Sequence, residues 1–336
     1  MERMPDDIIT LNRDVEPFVV QAGTGRLHPY EDAYRPLQFV HFSDLHRAIR
    51  AWDRLVEYVN YYEKYINFAL HTGDYCGASL EQLEDCYANG TPCVKPIYNC
   101  VGNHDLHLTN GWRDGNGPVL ATHREVHDAL FNHTEGWDVT FMPGETPTAY
   151  YKDFPESNLR LIVFDLYYDV EEGLAWLQEL LADAKEKGLH VITAAHEPTD
   201  KIADAPPTTF HSLFDHAEFT KSDPHKTPLD EVIATFKKNG GIHVCHLAGH
   251  RHINIFGYTA SGVLNCCAEA FVPTTAWVDA RREKGTKSYD SFNVVAVDVN
   301  LGLFKLVRVG NNADIYLRTK RVLCFDYINR KVIFNG

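Results

Sequence analysis

Short apolar runs alternate with amphipathic stretches through most of the chain, and this alternation predicts the order of its secondary structure. Six runs have the length and apolar content of buried strands, namely 37–42, 66–71, 96–101, 159–166, 190–195 and 242–248. Between these strands, apolar residues at helical spacing form one face of each helix predicted at 51–65 and 171–187. The second helix begins with acidic residues and ends at Gly188, which are typical start and stop signals. Strands that alternate with helices indicate an α/β fold.

Beyond about residue 260, the pattern changes to strands that are joined by short turns. The strands are predicted at 262–270, 292–299, 303–309, 316–325 and 331–334, and Asn300-Leu301-Gly302 is typical of a hairpin turn. We therefore expect a sheet-rich C-terminal portion. Two polar segments, 106–118 and 197–228, have the composition of long loops, which are often functional. Residues 1–35 form an N-terminal extension with weak strand signals.

The composition narrows the class of protein. Of the 336 residues, 44% are hydrophobic and 23% are charged. These values are close to the globular average and exclude a disordered chain, a collagen and a disulfide-rich miniprotein. Aspartate and glutamate number 46 against 32 lysines and arginines, which gives a net charge of −14. This excess argues against long nucleic acids and anionic membranes as partners, because both bind through clustered basic residues.

Targeting signals and cysteines bear on the compartment. The acidic N-terminus lacks the basic and apolar stretches of a secretory signal, and no apolar run approaches the ~20 residues of a membrane-spanning helix. The eight cysteines include no Cys-x-x-Cys pair, and several lie in strand-like runs. We therefore expect reduced thiols and a cytoplasmic location. The seven-residue spacing of Cys86, Cys93 and Cys100 leaves a metal or redox cluster open, although zinc ligands are usually paired more closely.

Five predicted strands are each followed directly by residues that can bind metal ions. The clusters are Ser43-Asp44-Leu45-His46, Gly73-Asp74, Gly102-Asn103-His104-Asp105, Ala195-His196 and Gly249-His250-Arg251-His252. Ligands of α/β sheets bind beyond the carboxyl ends of the strands. If the first cluster is extended, alternation places Asp44 and His46 on the same side. Each cluster alone is also an ordinary turn or surface feature. The ordered set, always after a strand, favours a shared site.

In this order, the motifs resemble those of the calcineurin-like metallophosphoesterase superfamily. Its pattern runs Asp-x-His, Gly-Asp, Gly-Asn-His-Asp/Glu, His and Gly-His-x-His, and every member is present here. The resemblance covers about residues 37–310 and implies a four-layer α/β/β/α sandwich with two metal ions between its sheets. With this resemblance, the chain divides into the extension at 1–35, a catalytic domain at 36–310 and a C-terminal strand hairpin at 311–336 packed on that domain.

The resemblance also assigns roles to the motif residues. Asp44, His46 and His252 would hold one metal, Asn103, His196 and His250 the other, and Asp74 would bridge the two. Two such ions can bind a bridging hydroxide as the nucleophile, orient a phosphoryl group and neutralise its charge. The family places His104 on the leaving-group side as a general acid, and Asp105 is a candidate to orient or tune it. Carboxylate, amide and imidazole donors without thiolate independently suit two divalent Mn, Fe or Zn ions.

Further residues near the motifs are candidates for contact with a substrate. Arg47 follows the first motif and Arg251 lies within the last, so each can offer a charge-assisted fork to a phosphate oxygen. A surface or helix-start role is the alternative for both. Tyr167-Tyr168-Asp169, after the fourth strand, is a weaker candidate for the substrate pocket.

The leading interpretation is a metal-dependent phosphoric ester hydrolase. Within that class we expect a phosphodiesterase acting on a small diester such as a cyclic nucleotide, because Gly-Asn-His-Asp and the long loops resemble that branch. A phosphomonoesterase or nucleotidase is the alternative, whereas Tyr75-Cys76-Gly77 does not match a protein phosphatase. A noncatalytic scaffold would have lost ligands, and a nuclease for long nucleic acids fits poorly with the acidic chain. The expected partner is a small phosphoester, with no long nucleic acid and no membrane.

Overall fold

Two seven-stranded sheets pack face to face, and helices cover their outer sides. The computed structural model describes residues 36–46, 49–77, 79–109, 115–131, 133, 136–200, 226–272, 282, 289–310 and 322–335. Residues 1–35, for which weak strand signals were predicted, lie outside the described residues. The arrangement is the four-layer α/β/β/α sandwich that the motifs imply. The division of the chain at residues 36 and 310 stays a prediction.

The strands and helices follow one another as the apolar pattern indicates. The strands are β1 (Leu37–Phe42), β2 (Phe68–His71), β3 (Ile97–Asn99), β4 (Thr140–Phe141), β5 (Tyr150–Phe154), β6 (Leu159–Val163), β7 (His190–Ala194), β8 (Ile242–Ala248), β9 (Ile255–Tyr258), β10 (Leu264–Cys267), β11 (Ser291–Asp298), β12 (Leu303–Gly310), β13 (Val322–Asp326) and β14 (Lys331–Asn335). The helices are α1 (Ile49–Tyr61), α2 (Glu81–Asn89), α3 (His123–Phe131), α4 (Val170–Glu186) and α5 (Lys226–Lys238), with short 3-10 turns at Asn103–Leu106 and Pro155–Ser157. Within the described ranges, no helix has the length and apolar character needed to cross a membrane.

Each sheet contains a parallel block of strands. The first sheet has the order β14-β13-β12-β11-β1-β2-β3, and β1, β2 and β3 are parallel. The second sheet has the order β4-β5-β6-β7-β8-β10-β9, and β6, β7, β8 and β10 are parallel. The carboxyl ends of neighbouring parallel strands lie at one edge of their sheet, which brings the loops that follow them together.

Aromatic side chains hold the two sheets against each other. Phe68 of β2 stacks on Phe154 of β5 with ring centroids 5.2 Å apart, and Phe256 of β9 stacks on Phe304 of β12 at 5.9 Å. Each pair joins a strand of one sheet to a strand of the other. Because such rings bury large apolar areas, the space between the sheets is the main core.

The helices pack through the apolar faces that their sequence spacing predicts. In α1, Trp52, Leu55 and Val59 are buried, and the neighbouring Tyr58 meets Phe292 of β11 at a centroid distance of 4.8 Å. The helix ends at Tyr61 rather than at residue 65, because the chain closes into a tight turn in which Tyr65 N donates to Tyr62 O at 2.9 Å. On the second sheet, α4 and α5 share a separate apolar cluster with β6 and β7.

The C-terminal portion is sheet-rich as predicted. Of the strand predicted at 316–325, residues 316–321 lie outside the described residues. The strand predicted at 262–270 is shorter, and β10 pairs antiparallel with β9, which the pattern did not indicate. A turn precedes β10, with Gly262 N donating to Thr259 O at 3.0 Å, and this turn joins two strands too short to show clear alternation. The hairpin turn predicted at residues 300–302 joins β11 and β12. The loop predicted at 197–228 includes the start of α5, and residues 201–225 lie outside the described ranges.

The loops after β1 and β8 come from different sheets and touch each other. The backbone N–H of His250 donates to Asp44 Oδ2 at 3.0 Å. A Cβ on Gly249 would lie 1.7 Å from Ser43 Oγ and 2.7 Å from Asp44 Oδ2, so a residue with a side chain has no room here. Glycine at this position therefore permits the close approach of the two sheets.

We expect Gly249→Ala to lower the free energy of unfolding by about 1–3 kcal/mol, the usual cost of overpacking a rigid contact. Urea unfolding measures this loss. The double variant Ser43→Gly/Gly249→Ala removes the nearer of the two side chains that the new methyl group meets, so it should recover part of the loss. Ser43→Gly alone is the control, because it measures the effect of the new glycine without the clash at residue 249. No recovery in the double variant would contradict the proposed steric cause.

Candidate metal centre

Five residues of the motif loops have left-handed backbone conformations. Their φ angles are 55° for Asp44, 44° for His46, 61° for Asp74, 63° for His250 and 55° for His252. Residues with a Cβ adopt this region at a cost of roughly 1–2 kcal/mol each, and such strain clusters at functional sites. The prediction that Asp44 and His46 lie on the same side assumed an extended backbone, but neither residue is extended. The two side chains nevertheless converge.

The first group of side chains consists of Asp44, His46, Asp74 and His252. One ligand atom from each can be chosen so that all four atoms lie within 4.8 Å of one another. His46 Nε2 lies 3.1 Å from His252 Nε2 and 3.6 Å from Asp44 Oδ1. His252 Nε2 lies 3.1 Å from Asp44 Oδ1. This group therefore has the size and composition of a cation site.

The second group consists of Asn103, His196 and His250. Asn103 Oδ1 lies 3.0 Å from both His196 Nε2 and His250 Nδ1, and these two nitrogens are 3.2 Å apart. Asp74 lies between the groups, with Oδ2 3.3 Å from His196 Nε2 and 3.8 Å from His46 Nε2. All seven side chains to which the motifs assign metal binding are thus brought together, with Asp74 in the middle.

The hydrogen bonds of two imidazoles show that the arrangement fits divalent cations. His46 Nδ1 faces Cys76 O at 3.2 Å, and His196 Nδ1 faces Thr72 O at 2.6 Å. A carbonyl oxygen only accepts, so each Nδ1 carries the proton, and in the neutral imidazole Nε2 presents a lone pair. These lone pairs point at carboxylate and amide oxygens, which are also acceptors. A metal ion satisfies such a set, and the backbone carbonyls fix the ring orientation that it needs.

The same charges shift several pKa values. Burial disfavours ionised Asp44, but His252 lowers the pKa of this carboxyl well below its usual value. Burial also opposes a charge on His196, yet Asp74 raises its pKa to about 10. The electrostatic field of the carboxylates therefore favours positive charge at this point. In contrast, burial lowers the pKa of His250 to about 3, which keeps that imidazole neutral and able to bind a metal.

His104 lies beside the first group. Its ring centroid is 5.0 Å from that of His46, and its Nδ1 faces Gly77 O at 3.3 Å. Burial lowers the pKa of His104, while the Asp74 carboxylate acts in the opposite direction. The side chain is partly exposed, so it can reach a bound molecule.

Asp105 was a candidate to orient the His104 ring, but its hydrogen bonds go to backbone N–H groups instead. Its carboxylate accepts backbone N–H groups of Asp74 at 2.9 Å, Gly102 at 2.9 Å and Cys76 at 3.0 Å. The Nδ1 of His104 is instead positioned by the Gly77 carbonyl. The structure thus indicates that Asp105 shapes the loop that carries Asp74. Burial, together with the Asp74 charge, raises the pKa of Asp105 to about 6.

Of the two arginines predicted to contact a substrate, the structure describes one. Arg47 lies outside the described residues. Arg251 is described and is buried, with 5% of its surface exposed. Burial lowers the pKa of Arg251 to about 10, and the carboxylate of Glu197 acts against this shift. The Arg251 side chain is therefore buried within the electrostatic influence of Glu197 rather than directed into solvent.

Sequence reasoning missed Glu197, which follows His196 directly. Its Oε2 lies 3.8 Å from His250 Nε2, and its Oε1 accepts the hydroxyl of Tyr167 at 3.2 Å. Its adjacency to a motif histidine was a usable signal, but the partners come from distant parts of the chain.

A cluster of Cys86, Cys93 and Cys100 is not found, since the metal-binding group among the described residues contains no cysteine.

Comparisons with solved structures concern the fold of the chain. A dimetal phosphatase from Danio rerio is similar in structure, with a TM-score of 0.54, 13% sequence identity and coverage of 84% of this chain and 99% of that one. A protein from Streptococcus pneumoniae described as a predicted phosphoesterase has a TM-score of 0.35 and 11% identity over 86% of this chain and 98% of that one. No curated protein sequence matches the chain. At these identities, the first likeness supports the fold alone.

The sequence itself matches a family over the segment that contains β1 to β8. The model of the calcineurin-like phosphoesterase family covers residues 37–254, from the first residue of β1 to the segment after the last motif. This range includes all seven side chains that converge between the sheets and His104 beside them. The chain therefore belongs to the calcineurin-like phosphoesterase family, whose members are metal-dependent phosphoesterases with a binuclear centre.

Proposed function

We propose that this phosphoesterase hydrolyses a small phosphodiester, such as a cyclic nucleotide, with His104 protonating the leaving group. The observation that carries the proposal is the convergence of seven metal-binding side chains with one further imidazole at their edge. A phosphomonoesterase or nucleotidase is the alternative.

The charges around the centre support a diester over a monoester. A diester bears one negative charge, whereas a monoester bears up to two and is often bound by an arginine fork. Among the described residues of the motif loops, Arg251 is the arginine available, and it is buried beside Glu197. A substrate with the smaller charge is therefore better matched to these residues.

The residues of the centre have separate proposed tasks. Asp44, His46 and His252 would hold one divalent ion, Asn103, His196 and His250 would hold the other, and Asp74 lies between the two groups. When bound, the two ions supply a nucleophile at neutral pH and neutralise charge on the phosphoryl group. His104 holds a proton for the leaving oxygen, and the Gly77 carbonyl orients its ring.

The donor atoms of the centre support a choice of metal, and the free thiols support a location in the cell. We propose Mn, Fe or Zn, because the centre offers carboxylate, amide and imidazole donors without thiolate. We also propose a cytoplasmic location, because all eight cysteines are free and six of them are buried. The net charge of −14 supports a small substrate rather than a long nucleic acid.

Asp74→Asn is expected to lower the metal content below the approximately two ions per chain of the wild type, because the variant loses the carboxylate between the groups. Elemental analysis after dialysis measures the content. The control is Asp85→Asn, which neutralises an exposed carboxylate on α2 and should bind metal as the wild type does. A wild type that binds no metal would favour the noncatalytic scaffold.

His104→Ala should keep the metal content and lower kcat by ~10²–10⁴-fold, the range for the loss of a general acid. The defect should be larger for an alkyl leaving group than for p-nitrophenolate, since a stable anion needs no protonation. Steady-state kinetics with both kinds of ester test this difference, with His133→Ala, an exposed histidine, as the control. If His104→Ala loses as much metal as Asp74→Asn, the proposed role of His104 is wrong.

The wild type should have a higher kcat/KM for bis(p-nitrophenyl) phosphate than for p-nitrophenyl phosphate, because the centre suits the lower charge of the diester. Both assays use Mn²⁺-loaded protein of known metal content and the same product absorbance. A preference for the monoester would establish the alternative function. A loaded protein inactive on both esters would count against a phosphoesterase that accepts small substrates.

A further inference from the structure

The outer side of His250 faces a carboxylate to which the family motifs assign no role. His250 Nδ1 points inward, 3.0 Å from Asn103 Oδ1 and 3.2 Å from His196 Nε2. His250 Nε2 points the opposite way, 3.8 Å from Glu197 Oε2. The imidazole thus lies between the second metal-binding group and the Glu197 side chain.

Glu197 is held at this place from two directions. Its Oε1 accepts the hydroxyl of Tyr167 at 3.2 Å, so the carboxylate is attached to the segment after β6. Its backbone carbonyl accepts from His246 Nε2 at 3.0 Å, which attaches the main chain to β8. Only 7% of the Glu197 surface is exposed. A buried carboxylate held in this way keeps its direction toward His250.

The orientation of His250 determines what this carboxylate can do. If Nδ1 binds a metal ion, its lone pair is used there and Nε2 must carry the proton. The positive charge that the ion places on the ring strengthens the attraction between Nε2–H and the anionic Oε2 atom. Catalytic geometry is often loose in the unliganded state and tightens in the complex, so the 3.8 Å gap can close to a hydrogen bond.

We propose that Glu197 is a positioning residue for the second metal ion. It fixes His250 as the tautomer with the proton on Nε2, raises the basicity of Nδ1 and thereby increases the affinity of the group formed by Asn103, His196 and His250. Carboxylates that accept the outer N–H of a metal-binding histidine have this effect in many proteins. The inference rests on the proposed assignment of metal ligands but not on the identity of the substrate.

Tyr167, which donates to Glu197, is itself held in place by a hydrogen bond. The Tyr167 backbone N–H donates to Asp165 Oδ1 at 2.7 Å, and Asp165 in turn accepts the hydroxyl of Thr148. The hydroxyl of Tyr167 is therefore presented by a segment that is itself fixed by buried polar contacts. Removal of this hydroxyl should weaken the hold on Glu197 without removing its charge.

The experiment titrates Mn²⁺ alone into the metal-free full-length chain and follows binding by calorimetry and by electron paramagnetic resonance. In Glu197→Gln, one of the two dissociation constants should rise ~10–100-fold, the usual cost of losing such a partner, while the other stays unchanged. The resonance signal of the coupled pair should appear only at higher Mn²⁺ concentration. Tyr167→Phe should shift the same constant by a smaller factor.

Asp230→Asn is the matched control. Asp230 is also buried, and it accepts hydroxyl groups of Thr199 at 2.7 Å and Thr259 at 3.4 Å. Its loss removes a buried charge of the same sign without removing a partner of His250. Both dissociation constants of this variant should match those of the wild type.

The outcomes separate this inference from the proposed function. Unchanged constants in both Glu197→Gln and Tyr167→Phe would overturn the inference, as would an equal rise of both constants in a variant. If Glu197→Gln does not fold, Tyr167→Phe still decides, because it retains the carboxylate. A wild type that binds two Mn²⁺ ions but hydrolyses no phosphoester would refute the proposed function while leaving the titration result to test Glu197.

Discussion

Two buried carboxylates, those of Asp44 and Asp74, impose the strongest physical constraint on this molecule. Each is at most 1% exposed, and an ionised carboxylate without partners is very costly in such surroundings. Backbone N–H groups meet part of the cost, because His250 N donates to Asp44 Oδ2 and His104 N donates to Asp74 Oδ1. The remaining oxygens face imidazoles. The two ionised carboxylates are therefore stable only because loops from both sheets place hydrogen-bond donors or cations around them.

This constraint accounts for the local backbone geometry. Placing two aspartates and three histidines around one point requires the left-handed conformations, whose cost the surrounding contacts must offset. Asp105 is central to these contacts, since its carboxylate accepts three backbone N–H groups around the Asp74 loop. Gly102 and Gly249 admit close approach where a Cβ would collide with Asp74 or Ser43. The left-handed residues at the centre and the close contacts of the supporting loops thus both result from the burial of these two carboxylates.

Much of the architecture was predictable, because apolar runs specify strands and motif residues follow them directly. The helical face of Trp52, Leu55 and Val59 and the positions of the strands along the chain follow from such local patterns. Other features depend on contacts between distant segments. The pairing of β9 with β10, the bonds of Asp105 and the approach of Tyr167 to Glu197 have no periodic signal. The left-handed angle of Asp44 was also hidden, because Asp-x-His is compatible with an extended segment.

The acidic net charge and an anionic substrate are compatible because electrostatics act locally. Asp44 and Asp74 contribute two of the 46 acidic residues, yet two divalent ions bring four positive charges to the same volume. Glu197 and Arg251 near the centre carry opposite charges, and the carboxylate acts to raise the pKa of the arginine against the effect of burial. A small anion inside the centre is within a few ångströms of those ions. A long polyanion would also cross the acidic surface, where counterions screen the attraction beyond about 10 Å. These charges therefore support the proposal of a compact phosphoester as the substrate.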